Sequence, residues 1–236
     1  MKKKISFPAI VLYFLGLILM SIGIPAMIKS NMGITVVTSF PYSISVITGL
    51  FTIGRWVTIF QCVVLIIAII VLKRITVSMV TSFATAALLG LFIDFFVFVF
   101  DPIVIESLVM RVLTVIISST VMATGAGILI FSGFPPIPDL VFLRDVSKEK
   151  NIEMGRLKQY FDLSVLVMTV SLTLIVLKRI IGVGIGTVIS FAIVGFVIGF
   201  VNKVLNKYAL SKNFMDEDKL NGILEFNLLS LFSKKA

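Results

Sequence analysis

The sequence contains no histidine and a single cysteine, Cys62. These absences exclude an internal disulfide, a cysteine–histidine metal site and serine–histidine or histidine–zinc chemistry. Cys62 lies in a strongly apolar run, which is typical of a small packing side chain. We therefore expect no metal and no cofactor, and the sequence offers no nucleophile–base pair typical of an enzyme.

Charge is also scarce, since only 14% of the 236 residues are charged and 58% are hydrophobic. Soluble domains have about 25% charged residues. A 26.0 kDa chain cannot bury so much apolar surface in a core of its own, so the lipid bilayer is the expected partner. The net charge of +9 then indicates basic cytoplasmic loops and not a nucleic-acid partner.

Six apolar runs come close to the roughly 20 residues that a membrane-spanning helix needs. They cover residues 8–28, 56–72, 77–100, 112–131, 163–177 and 180–201. The first run follows three lysines, as in a signal peptide, but it is longer than a signal core and lacks a clear cleavage site. We interpret it as a retained span of an all-α membrane protein.

The two halves of the sequence are weakly similar to each other. Gly54-Arg55 opens a segment that ends with VLKR at 71–74, and Gly155-Arg156 opens one that ends with VLKR at 176–179. Further matches occur in the same order along the chain, and they pair Met20 with Met122, Gly23 with Gly125, Gly90 with Gly195 and Phe95 with Phe200. The sequence thus predicts a transmembrane domain over residues 1–208, made of tandem repeats at about 8–100 and 110–202, and a cytoplasmic tail over 209–236.

Each predicted repeat contains one segment that is poorly suited to span a membrane. Residues 33–50 are rich in serine and threonine and contain Pro41, and residues 133–146 contain three prolines. Broken backbone is tolerated at membrane depth only where protein or a wet cavity covers it. We expect two re-entrant or broken helices, which leaves three spans per repeat and inverts the second repeat, as in many transporters. Two surface loops are the alternative.

The distribution of positive charge predicts the orientation. With six spans and a cytoplasmic N-terminus, 16 Lys and Arg residues lie inside and 5 outside, which agrees with the positive-inside rule. Eight spans give the same distribution, so this count leaves six and eight open. Both arrangements place the protein in the cell membrane as a multi-pass protein with cytoplasmic termini.

Three acids are candidate substrate- or ion-binding residues, because ionisable groups within spans are costly. Asp94 lies in an apolar run, although it could reach the interface. Asp162 begins a later span and could bind a cation or be a boundary residue. Asp139 follows the PPIP phrase, where a carboxylate on irregular backbone could ligate a cation or cap a short helix.

Arg55, Arg156 and Thr38 complete the candidates. The two arginines occupy the same place in the two predicted repeats and could pair with the carboxylates, or extend outward to the interface. Thr38 is one of the hydroxyl side chains in the first broken segment.

Three phrases resemble the bacterial YczE/YyaS/YitT group of membrane proteins. They are SIGIPAMIKSNMGI at 21–34, GLFIDFF at 90–96 and GVGIGTVISFAIVGFVIGF at 182–200. The resemblance implies a multi-span protein of the cytoplasmic membrane and names no substrate. In that group the first broken segment often carries a proline-tryptophan-aspartate phrase. Here Val36-Val37-Thr38 stands in its place, so that acid is missing.

The broken segments and their nearby acids favour a small transporter or permease, with a site for an unknown small solute or ion between the halves. The alternative is a non-transporting membrane partner or scaffold that acts through its basic tail. The sequence carries no ATP-binding signature. It leaves open the substrate, the coupling ion, the direction of movement, and association with a second copy or with a partner protein.

Overall fold

The computed structural model describes residues 7–211, which form eight α-helices and contain no β-strand. The helices are α1 Phe7–Ser30, α2 Val36–Thr48, α3 Ile53–Leu72, α4 Val77–Phe100, α5 Leu108–Phe131, α6 Pro138–Lys150, α7 Met154–Leu177 and α8 Ile185–Ser211. The expected all-α architecture is confirmed for this part of the chain. Most of the predicted tail lies outside the described residues.

Six of these helices are long and apolar enough to cross a bilayer, and they coincide with the six apolar runs of the sequence. Their boundaries differ from the apolar runs by up to ten residues, and the differences are largest at the start of α7 and the end of α8. The last helix begins at Ile185 and not near 180, because Gly182 has a φ of 79° and interrupts the helical backbone. The Gly184 N–H then donates to Thr187 Oγ1 at 3.1 Å, which satisfies one donor near the new helix start.

The two segments predicted to be broken each contain a short helix of 13 residues, α2 and α6. Each ends at a residue in the left-handed conformation, Gly49 with a φ of 60° and Asn151 with a φ of 53°. Pro138 opens α6, where the missing N–H of proline costs nothing. Helix α6 continues four residues past the predicted segment, to Lys150.

Helices α1 and α5 form the most extensive contact in the fold. A Cβ added to Gly16 would lie 2.8 Å from the Gly125 carbonyl oxygen, and one added to Gly125 would lie 2.6 Å from the Gly16 carbonyl oxygen. Because only glycine permits such close approach, the two backbones pack directly on each other. Helix α4 packs against α1, and α8 packs against α5.

The short helices pack across the molecule. Helix α2 contacts α7, and α6 contacts α3. Ser39 and Thr169 hydroxyls join α2 to α7 at 3.0 Å, and Ser43 Oγ donates to the Ile181 carbonyl at 3.1 Å. Arg144 Nη2 donates to Ser78 Oγ at 3.1 Å, which fixes α6 against the start of α4.

Two ends of the helix bundle can be named from ion pairs. Lys29 and Asp101 meet at one end, with a distance of 3.4 Å between Nζ and Oδ1, and we call it the Lys29 face. Arg74 and Glu149 meet at the other, also at 3.4 Å, and we call it the Arg74 face. Helices α3 and α8 run from the Lys29 face to the Arg74 face, and α4 and α7 run in the opposite direction.

The outward sides of the long helices expose large apolar side chains. Phe98 is 78% exposed, Phe196 75% and Ile175 71%. Contiguous apolar surface of this size is not tolerated in water. It supports contact with the bilayer and hence a multi-pass membrane protein, while the cell membrane as its location and cytoplasmic termini stay predictions.

Candidate binding cavity between the helices

A cavity of about 390 Å³ lies at the centre of the fold, and all eight helices contribute to its lining. This volume is within the range of about 300–1,000 Å³ that is typical of small-molecule sites. Three of the candidate residues, Asp139, Asp162 and Thr38, line it. The structure thus brings together residues that are far apart in the chain.

Asp139 enters the cavity from the start of α6 and is only 5% exposed. Its own N–H donates to Oε1 of Gln61 on α3 at 3.0 Å, and the Leu140 N–H donates to its Oδ1 at 2.9 Å. Before this helix, Thr85 Oγ1 of α4 donates to the Pro135 carbonyl at 3.0 Å. The start of α6 is therefore held in place by both α3 and α4.

Asp162 and Lys158 face the same cavity from α7. They are one helical turn apart, and Lys158 Nζ donates to both carboxylate oxygens of Asp162 at 3.0 and 2.9 Å. The Asp162 side chain is 6% exposed and that of Lys158 is 35% exposed. Since the ammonium contacts both oxygens, this pair is a locally neutral unit.

The α2 side of the cavity carries hydroxyl groups. Thr38 is 8% exposed, and its Oγ1 accepts a hydrogen bond from Thr35 Oγ1 at 2.9 Å. Both threonines line the cavity, together with Val37 and Pro41. Thr38 thus offers a polar contact to the cavity from α2.

The remaining walls are mostly apolar. Met20 and Met122 come from α1 and α5, and the aromatic rings of Phe60 and Phe191 come from α3 and α8. In the part of the chain that the structure describes, no group of three or more His, Cys, Asp or Glu side chains could hold a metal ion. The site combines a few converging polar groups with an apolar body, which is typical of a pocket for a small organic ligand.

The cavity is closed between α3 and α4. A Cβ added to Gly54 would overlap the Gly90 carbonyl oxygen, so these helices touch backbone to backbone. Asp94 strengthens the contact, because its Oδ1 accepts from the Gly54 N–H at 2.7 Å and its Oδ2 accepts from the Thr52 hydroxyl. These bonds satisfy donors at the start of α3.

The opposite side of the cavity is open. Helices α7 and α8 are consecutive in the chain but hardly touch. A Cβ added to Gly195 would meet no atom within 4 Å, and one added to Gly155 would meet only Glu153 Oε1 at 3.8 Å. Both glycines line the cavity, and Gly155 lies at the start of α7, so the opening is towards the Arg74 face.

The other three candidates do not line the cavity. Asp94 lies at the α3–α4 contact. Arg55 is exposed, and Arg156 is exposed and pairs with Glu153 at 3.2 Å between Nε and Oε2. The structure therefore gives the arginines no contact with Asp139 or Asp162.

Most cavity residues were not among the sequence candidates, and those whose chemistry matters most are Gln61, Lys158, Phe60 and Phe191. Lys158 and Asp162 have the spacing of a helical ion pair, which is a usable sequence signal. Gln61 could have been found as a polar side chain within an otherwise apolar span. The two phenylalanines carry no such signal, because the chain contains 21 of them.

Comparison with known proteins agrees with the resemblance found in the sequence. A family described as "Family of unknown function (DUF6198)" matches residues 7–203. The "Uncharacterized protein YyaS" of Bacillus subtilis (strain 168) is 27% identical over 207 residues, which cover 85% of this chain and 96% of the relative. No solved structure matches the chain.

Proposed function

The chain belongs to the family of unknown function (DUF6198), and we propose from its geometry that it is a small transporter or permease built from two inverted repeats. The observation that carries this proposal is a central cavity lined by both halves, closed between α3 and α4 and open between α7 and α8. Such an asymmetry is expected of a transporter in one of its two access states.

The order of elements supports the repeat. A long helix, a short helix and two long helices occur twice, and the two short helices have equal lengths of 13 residues. Both VLKR phrases end a helix at a lysine in the left-handed conformation, with a φ of 49° at Lys73 and of 58° at Lys178. Equivalent positions thus have equivalent backbone shapes.

The packing supports an inverted relation between the halves. If α1–α4 correspond to α5–α8, the contact of α2 with α7 corresponds to that of α6 with α3. At the centre, a Cβ on Gly23 would meet Met122, and a Cβ on Gly125 would meet the Met20 N–H. Since Met20 and Gly23 match Met122 and Gly125 in the sequence, this pair of contacts is self-complementary, as in an isologous interface.

The glycine pairs then provide a mechanism. Gly54 and Gly90 correspond to Gly155 and Gly195, but only the first pair is in contact. If the two helix pairs exchanged their arrangements, α3 would separate from α4 and α7 would pack against α8. The cavity would close to the Arg74 face and open to the Lys29 face, which is alternating access. With the predicted cytoplasmic N-terminus, the described state is open to the cytoplasm.

Cysteine labelling tests this proposal. A single cysteine at Val37, a half-buried residue of the cavity lining whose equivalent in α6, Asp139, also lines the cavity, is introduced in a Cys62→Ala background and treated with an impermeant maleimide from each side of sealed vesicles. We expect labelling from both sides, because the cavity alternates. Addition of Gly195→Leu should abolish labelling from the Lys29 face only, since leucine fits the open gap but prevents α7 and α8 from meeting.

The matched control is Ala84→Leu, which places the same side chain at an exposed position of α4 outside the cavity lining. It should leave both labelling reactions unchanged. Labelling from the Arg74 face alone in the Cys62→Ala background would contradict alternating access and favour a non-transporting membrane partner.

A further inference from the structure

Asp139 is a buried acid without a cationic partner. Among the salt bridges within residues 7–211 none includes it, and the charged groups that act on it are Lys158 and Asp162. Lys158 already contacts both oxygens of Asp162. A buried carboxylate is costly in free energy unless it is paired or protonated. A bound cation would therefore stabilise the ionised form of Asp139.

When Asp139 is ionised, the charge balance of the cavity disfavours an anionic ligand. Asp139 and Asp162 contribute two negative charges, and Lys158 contributes the single positive charge of the lining. Because Lys158 is neutralised by Asp162, an anion would meet the unpaired charge of Asp139 without compensation. A monovalent cation would instead make the cavity neutral.

The remaining lining residues of the cavity indicate which kind of cation would bind. Phe60 and Phe191 present aromatic rings, whose faces attract cations, and the methionines offer polarisable apolar contact. Pro41 has no N–H to donate to the Val37 carbonyl one turn earlier, and both residues line the cavity. An inorganic ion would need several oxygen ligands in place of these walls.

We propose that the cavity binds a small monovalent organic cation with an apolar body, its charge beside Asp139 and its body against Phe60 and Phe191. That such a cation is also the transported substrate rests on the transporter function proposed above. A proton and the cation compete for the same carboxylate, so binding to the protonated site releases one proton to the solvent. Gln61 of α3 is uncharged, α4 contributes no titratable group to the lining, and Lys158 and Asp162 are the charged groups on α7.

Binding to the purified full-length protein tests the substrate class. The probes are benzyltrimethylammonium, which cannot lose a proton, and benzenesulfonate, an anion of similar size. Calorimetry should detect the cation and not the anion. Asp139→Asn keeps the shape of the side chain but removes the charge and should weaken cation binding about thirtyfold or more, whereas Asp139→Glu should retain most of it.

The matched control is Asp101→Asn, which removes a carboxylate that is 82% exposed at the Lys29 face and should not change binding. Lowering the pH should weaken cation binding to the unmodified protein and leave the residual binding of Asp139→Asn unchanged. Thermal unfolding of each variant shows that it is folded.

Two results would overturn the assignment. One is unchanged affinity in Asp139→Asn, and the other is equal binding of the sulfonate. If the cation fails to bind while the cysteine at Val37 is labelled from both sides, the substrate class is wrong and the transporter stands. If the cation binds with one-sided labelling, the cation site stands and the transporter is wrong.

Discussion

Replacement of Gly54 by alanine should shift the protein towards the state in which α3 and α4 are parted. In the described state the new methyl group would overlap the Gly90 carbonyl oxygen, and its next neighbours would be the Asp94 carboxylate atoms at 2.6 and 2.7 Å. These neighbours are held by the hydrogen bonds that Asp94 accepts from the start of α3. The methyl group therefore cannot be accommodated without separation of the helices.

The magnitude follows from the cost of overpacking, about 1–3 kcal/mol for a methyl group in a tight contact. If the exchanged state has room for the methyl group, the whole cost falls on the described state. The ratio of the two states then changes by about 5-fold to 150-fold. Gly195→Ala is the matched control, because its methyl group would meet nothing within 4 Å in the described state.

The assay uses a cysteine at Thr58, whose hydroxyl donates to the Gly54 carbonyl at 3.0 Å within the α3–α4 contact. In a Cys62→Ala background, the rate of maleimide labelling from the Lys29 face should rise by the same factor in Gly54→Ala and should not rise in Gly195→Ala. An equal rate in both variants, with both proteins folded, would refute the reasoning, because the closed glycine pair would then not hold the cavity shut.

Two further predictions concern the acids. Asp94→Ala should lower the free energy of unfolding by about 1–3 kcal/mol, since the Gly54 N–H and the Thr52 hydroxyl lose their acceptor; a thermal unfolding curve that is unchanged would contradict this role. Lys158→Gln should lower stability by a similar amount because it leaves Asp162 buried without its cation. The added change Asp162→Asn should restore the thermal midpoint, and a double variant no more stable than the single one would argue against the pair.

Much of the fold could be predicted from the sequence. Membrane spans depend on long apolar runs, which are local, and all six were found together with both short helices between them. The helix starts were less accurate, as at α8, because a few glycines decide where a continuous apolar run becomes helical. The predicted cytoplasmic tail was not tested, because residues 212–236 lie outside the part of the chain that the structure describes.

The candidate site was predicted only in part. Asp139, Asp162 and Thr38 line one cavity, whereas Asp94, Arg55 and Arg156 lie outside it. The sequence around Asp94 could not distinguish it from the other candidates. A buried acid that binds a ligand and one that accepts hydrogen bonds from a neighbouring helix start are both flanked by apolar residues. Whether any of the six binds a substrate stays a prediction.

The sequence by itself indicated the lipid bilayer as the surroundings of the protein, the positions of six long apolar helices and the membership of the chain in its family, because each depends on composition or on patterns along the chain. Only the tertiary structure decided that Lys158 neutralises Asp162 and leaves Asp139 unpaired. It also decided that one of two similar glycine pairs is in contact while the other is apart. The physical reason is that ion pairing and backbone contact depend on distances between helices, which no local pattern encodes.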